Sequence, residues 1–137
     1  MKKICIVASK YYEEIINMLI DGANEAISNH KKKFKTNIIY VPGVFEIPYT
    51  ISKNLKRFDA FIALGCVIKG ETPHFDFISK STIDAIMKIS IDNKKPIGNG
   101  ILTCFSKDQA VKRADKSNKN KGKEAADAAI ELLIGDK

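Results

Sequence analysis

The sequence predicts an α/β protein: a three-layer α/β/α sandwich around a four-stranded parallel sheet, flavodoxin-like in architecture. Three observations predict it. Four short apolar runs recur along the chain, and segments of helical periodicity separate them. The runs are continuously apolar instead of alternating, as strands covered on both faces are. Strand–helix alternation of this kind builds parallel sheets with right-handed crossovers.

Each element has its own signature. Lys3–Ser9 (KICIVAS) reads as a buried first strand. Ile15, Ile16, Leu19, Ile20, Ala23 and Ile27 then recur at helical spacing, with Glu13, Glu14 and Asn17 between them. Asn37–Val41 (NIIYV) is a second strand, broken by Pro42-Gly43, and a helix is expected from about Phe45 to Arg57. Ala60–Ile68 is the third strand. Thr72-Pro73 opens a helix that runs to about Asp92, with Thr72 as N-cap and Pro73 in the first helical position. Ile97–Thr103 is the fourth strand, and helical stretches over Lys107–Ala114 and Gly122–Ile134 close the chain. The stretch Lys116–Lys121 (KSNKNK) is expected to be an exposed loop.

The 137 residues fit one domain, and 45% hydrophobic content is enough for a core. No segment approaches the roughly 18 unbroken apolar residues of a membrane span. MKKICIVAS is too short in its apolar part for a signal peptide. Cys5, Cys66 and Cys104 are odd in number and widely spaced within or beside apolar runs, so buried free thiols in a reducing cytoplasm are expected. The formal charge of +7 comes from 23 Lys+Arg against 16 Asp+Glu, with arginine only at Arg57 and Arg113. Base readout and bidentate phosphate gripping favour arginine, so a lysine-rich solvated surface, or an anionic small substrate, explains the charge better than a nucleic acid.

In parallel sheets ligands sit beyond the carboxyl ends of the strands, and the chemically distinctive turns fall there. Tyr11 and Tyr12 follow the first strand, Pro42-Gly43-Val44-Phe45-Glu46 the second, and Lys69-Gly70-Glu71-Thr72-Pro73-His74 the third. Gly70 permits close backbone approach, and the helix that opens after it presents N–H groups and a positive dipole end suited to phosphate. The same dipole favours a neutral imidazole at His74, which is able to take and return a proton. Backbone groups at the Pro42–Glu46 corner suit a planar heterocycle, and Glu46 suits hydroxyls. His30, beside Lys31–Lys33, reads as a surface residue. There is no GxGxxG or GxxxxGK[ST] loop and no cluster with metal-ligand spacing, which argues against a nucleoside triphosphate enzyme and a metalloenzyme.

Four stretches in order, IVASKYYEE, VPGVFEIP, ALGCVIKGETPHFDF and GILT…AVKRA…NKGKEAADAAIELL, resemble the lumazine synthase family from Ile4 to Leu133. The resemblance implies condensation of 5-amino-6-(D-ribitylamino)uracil with 3,4-dihydroxy-2-butanone 4-phosphate to give 6,7-dimethyl-8-ribityllumazine, phosphate and water, without cofactor or metal. It implies His74 as the proton-transfer residue and Tyr11 as the aromatic that stacks on the pyrimidine. Val44, Phe45, Glu46, Cys66, Val67, Ile68 and Asn99 are implied around the pyrimidine and ribityl chain. Glu71, Thr72 and Arg113 are implied around phosphate.

In the family, the residues at Arg113 and at Gly98-Asn99-Gly100 come from an adjacent subunit, so the resemblance implies a homo-oligomer, a pentamer, with active sites between chains. Riboflavin synthase is a candidate partner; nucleic acid and membrane are not. Shell-forming relatives often carry an N-terminal extension before the first strand, and on that ground a free pentamer is expected. Asn99 stands where many relatives place a phenylalanine, Ser117 stands in place of a lysine, and Tyr11 in place of phenylalanine or tryptophan. For Ser117, either a heavier dependence of phosphate affinity on Arg113 or compensation by Lys116 or Lys119 is expected. A non-catalytic module that binds riboflavin or lumazine, and a charge-driven nucleic-acid binder, are the rival readings. The second leaves the Gly-Glu-Thr-Pro-His turn without a reason.

Overall fold

The computed structural model describes residues 1–70, 73–115, 117 and 119–135. Four parallel strands form one sheet: β1 (Lys3–Ser9), β2 (Lys35–Val41), β3 (Ala60–Ile68) and β4 (Ile97–Cys104), in the order β2-β1-β3-β4. The helices are α1 (Glu13–Asn29), α2 (Ile47–Lys53), α3 (His74–Asn93), α4 (Lys107–Ala114) and α5 (Lys121–Gly135). Side chains alternate across the central strand and build a core on each face. Ile4, Ile6 and Ala8 join the cluster of α1, α4 and α5, whereas Cys5 and Val7 join that of α2 and α3. The result is the three-layer, flavodoxin-like sandwich that the sequence predicts.

The continuous apolar pattern is realised fully in β1 and β3, the central strands, where Ile4–Ser9 and Ala60–Cys66 are buried. β2 departs from it. It starts at Lys35, two residues before the expected Asn37, and lies at the sheet edge with Ile38 and Tyr40 exposed. The segment expected as one helix from Phe45 to Arg57 is a 3-10 turn, Val44–Glu46, followed by the short α2. Pro48 opens α2, and Asn54 closes it: the Asn54 amide donates to the Thr50 carbonyl at 2.7 Å and its oxygen accepts from Arg57 Nη1 at 2.8 Å. Arg57 therefore lies beyond the helix.

α3 starts at His74, with Pro73 at the cap position instead of inside the helix. The Pro73 carbonyl accepts from Asp76 N at 3.1 Å and Phe77 N at 3.3 Å. Thr72 lies outside the described residues. The loop between α4 and α5 is not uniformly exposed either. Ser117 and Lys119 are exposed, but Asn120 is only 3% exposed. Its Nδ2 donates to the carbonyls of Met18 (3.0 Å) and Ala114 (2.6 Å), and its Oδ1 accepts from Lys123 N at 2.9 Å. Gly22 makes room for it, since a Cβ there would overlap the Asn120 amide. No helix among the described residues is long and apolar enough to cross a membrane.

Candidate active site

A cleft of about 530 Å³ opens at the carboxyl ends of β1 and β3. Tyr11, Tyr12, Gly43, Val44, Phe45, Cys66, Val67, Ile68, His74 and Ile78 line it, so the turns after three strands converge there. The β1–β3 ladder ends at Ala8–Leu64, whereas the β3–β4 ladder continues to Ile68–Cys104. The β1-facing edge of Gly65–Ile68 therefore has no strand beside it, and its amide and carbonyl groups face the cleft side of the sheet. A strand edge offers donors and acceptors in one plane, which suits a planar heterocycle with imide and amine edges. Gly65 lets the 3-10 turn approach this edge: a Cβ there would stand 2.5 Å from Val44 Cγ1.

Aromatic surface covers the cleft. Tyr11 is 67% exposed and Phe45 is 64% exposed, an unusual investment of apolar area unless something planar or a partner chain covers it. Glu46 does not line the cleft. Its carboxylate Oε1 accepts the Gly43 N–H at 2.9 Å and so fixes the Pro42–Glu46 corner. Phe105 steadies the turn that carries His74. Lys69 N donates to the Cys104 carbonyl at 2.9 Å, the Lys69 ammonium stands 5.4 Å from the centre of the Phe105 ring, and the Phe75 ring lies 6.0 Å from it.

Burial holds two titratable groups of the cleft in their neutral form. Burial pushes the Cys66 thiol up to about 12, aided by Cys104, so Cys66 is a protonated wall group and not a nucleophile. Burial also raises the Tyr12 phenol, with Cys66 and Tyr11 adding to the shift, so it stays protonated at neutral pH. His74, at the first turn of α3, also lines the cleft and places an imidazole there.

A second concavity, about 440 Å³, lies beside the outer edge of β4. Asn99, Ile101, Thr103, Arg113, Lys119, Lys121 and Glu124 contribute to its lining. Three cations against one carboxylate suit an anion. Arg113 Nη1 is directed at Cys104 Sγ, 4.0 Å away, which holds the guanidinium near the end of β4. That guanidinium opposes the rise that burial imposes on the Cys104 thiol. Of Gly98-Asn99-Gly100, Asn99 alone faces outward; its Oδ1 accepts from Ile101 N at 3.0 Å. Gly98 and Gly100 are buried, where a Cβ would overlap the Ala125 carbonyl or crowd Leu64.

The structure thus brings together Tyr11, Val44, Phe45, Cys66, Val67, Ile68 and His74, and it sets Asn99 and Arg113 apart in the second concavity. Glu71 and Thr72 lie outside the described residues, as does Lys116. Sequence reasoning missed Ile78, although it stands one helical turn after His74 on the same face. Lys121 and Glu124 were also missed, because their approach to β4 depends on how α5 packs.

The 6,7-dimethyl-8-ribityllumazine synthase family profile matches residues 1–134, a range that contains every residue of both concavities. The 6,7-dimethyl-8-ribityllumazine synthase of Sphingopyxis alaskensis is 42% identical over 135 residues, 97% of this chain and 94% of that protein. That of Zymomonas mobilis is also 42% identical, over 97% of this chain and 95% of its own length. One from Campylobacter jejuni is 39% identical, over 96% and 87% respectively. With the profile spanning nearly the whole chain and relatives of 39–42% identity covering at least 96% of it, the chain belongs to the 6,7-dimethyl-8-ribityllumazine synthase family.

Proposed function

We propose that this chain condenses 5-amino-6-(D-ribitylamino)uracil with 3,4-dihydroxy-2-butanone 4-phosphate, making 6,7-dimethyl-8-ribityllumazine, phosphate and water in riboflavin biosynthesis. The observation that carries the reading is the cleft that joins an exposed aromatic, an unpaired strand edge and His74. The pyrimidine ring stacks on Tyr11 and pairs with backbone groups of Cys66–Ile68. Val44 and Phe45 close over it, and the ribityl chain runs past the cleft lining to Glu46, whose carboxylate, held through Oε1 by the Gly43 N–H, accepts its hydroxyls. The primary amine attacks the ketone. The proton leaving nitrogen passes to His74 and on to the departing oxygen, which leaves as water. Loss of the adjacent C–H proton then expels phosphate from the imine, the enol left behind becomes a ketone, and the ribitylamino nitrogen adds to that carbonyl and expels a second water to close the ring. Bringing two substrates into one orientation supplies much of the rate, and His74 supplies the proton transfers.

Phosphate is gripped by main-chain N–H groups at Glu71 and Thr72 and by Arg113, with Lys119 compensating for Ser117. Arg113 and Asn99 act on the cleft of the adjacent subunit in a homopentamer. Two features support this assignment: His74 and Arg113 line concavities that share no residue, and large apolar side chains, including Phe45, Tyr49, Phe77, Met87 and Ile91, are exposed on the single chain. We assign the enzyme to the cytoplasm, in keeping with its three buried free thiols. Riboflavin synthase is the enzyme proposed to take up the product.

The test is direct. Purified protein is mixed with both substrates, without metal or nucleotide, and lumazine formation is followed by absorbance and fluorescence. Product well above the uncatalysed background is expected, falling about a hundredfold or more in His74→Ala. A folded oligomer that makes no product would overturn the reading in favour of a binding module. Unchanged turnover in His74→Ala would remove the proton-transfer role.

A further inference from the structure

We infer that Tyr12 is a substrate-positioning residue of the cleft, whose ring holds Tyr11 in the orientation that stacks on the pyrimidine; the inference rests on the reaction proposed above. The corner between β1 and α1 is pinned at both ends. Lys10 N donates to the Val41 carbonyl at 2.9 Å, and the Tyr12 carbonyl accepts from Ile16 N at 3.0 Å. Between these anchors Tyr11 and Tyr12 must turn the chain from strand to helix. They do so with Tyr12 in the left-handed region, at φ 63° and ψ 59°.

That choice is poor for stability. Glycine or asparagine enters this region at low cost, whereas a bulky side chain does not. Tyr12 also occupies the N-cap of α1 and makes no side-chain cap hydrogen bond, where asparagine, aspartate or serine would supply one. Among the described residues the other non-glycine with positive φ is Lys94, which ends α3 on the surface. Tyr12 instead lines the cleft. Strained residues at functional sites are held there for the side chain they present.

The side chain presented here is an aromatic ring. Tyr12 is half-buried against the α1 face of the core, and its ring meets Tyr11 at 5.1 Å between centroids with 69° between planes. Such edge-to-face contact favours one mutual orientation. An exposed Tyr11 without it would lose rotamer freedom each time a planar ring stacked on it; the contact spends that freedom beforehand.

Tyr12→Phe and Tyr12→Leu separate this role from packing. Both keep an apolar side chain on the same backbone, but Phe alone keeps the ring. In the assembled enzyme the Leu variant is expected to raise KM for the pyrimidine about fivefold to tenfold over the Phe variant, with KM for the phosphorylated ketose unchanged. Tyr12→Asn, which suits the backbone and restores a cap, is expected to melt no lower than Tyr12→Leu while showing the same weakened pyrimidine KM. Equal pyrimidine KM values for Leu and Phe, or a parallel rise for both substrates, would overturn the inference and leave the reaction standing. A wild-type chain without turnover would overturn both.

Discussion

His74 and Arg113 face different concavities of one subunit: His74 the cleft at the end of β3, Arg113 the cationic hollow beside β4. If both serve one reaction, two copies must meet head to tail, the cleft of one against the hollow of the next. A heterologous contact of this kind gives a ring when its rotation closes and an open filament when it does not, and the proposed pentamer is the closed case. His74→Ala and Arg113→Ala should then complement each other. In an oligomer reassembled from equal amounts, random neighbours restore both side chains at about a quarter of the sites. Activity of the mixture near that fraction of wild type, assayed at ketose phosphate well below the KM of Arg113→Ala, is the expected result. A mixture no more active than the two variants alone would place both residues in the same subunit's site.

Arg113 should act on one substrate more than the other. The hollow gathers Arg113, Lys119 and Lys121 with no aromatic side chain among its lining, so it is built for charge and not for stacking. Loss of a hydrogen bond to a charged group costs about 1.5–3 kcal/mol. Arg113→Ala is therefore expected to raise KM for the phosphorylated ketose by about tenfold or more, with a smaller change for the pyrimidine. Steady-state kinetics with each substrate varied in turn checks this, and an equal effect on both would place phosphate elsewhere.

The fold and the main cleft were legible in the sequence because both depend on local order. A parallel strand must be apolar throughout when it is central, and β1 and β3 are. The turns at the strand ends then converge by topology alone, which is why Tyr11, Val44, Phe45 and His74 could be named together, whereas Cys66, inside β3, was named through the family resemblance. β2 misled because it lies at the sheet edge, where Ile38 and Tyr40 stay exposed instead of being covered on both faces. The left-handed backbone of Tyr12 was invisible because a tyrosine there contradicts local preference. Asn120 reads as one more polar residue in KSNKNK, and only the distant carbonyl of Met18 reveals why it is buried.

The thiols make a prediction about alkaline pH. Burial pushes Cys5 up to about 12, against a small opposing pull from Arg57, and pushes Cys66 up to about 12 as well, both from an ordinary value of 9.0. A raised folded-state value means that the unfolded chain ionises first as pH rises. Their contribution to stability is full below about pH 9 and is lost as pH climbs toward 12. Urea midpoints measured across that window should fall with pH, and should fall less steeply in Cys5→Ala, which removes one such group. An identical slope in wild type and variant would show that Cys5 ionises equally easily in both states.

Asn120 joins stability to the cationic hollow. It ties the end of α4 and the middle of α1 to the first turn of α5 through three hydrogen bonds, and its neighbours Lys119 and Lys121 line the hollow with Arg113. Replacing it with alanine leaves the Met18 and Ala114 carbonyls without that donor in a buried place, a cost of about 2–4 kcal/mol. Asn120→Asp is expected to be worse than alanine, since a carboxylate cannot donate to either carbonyl and would be buried beside them. The loss should appear as a lower urea midpoint. In whatever fraction remains folded, KM for the phosphorylated ketose should rise while that for the pyrimidine holds, because the junction that carries Lys119 into Lys121 at the start of α5 has lost its anchor and the cleft has not. A stability loss with both KM values unchanged would show that the loop keeps its lysines in place without Asn120.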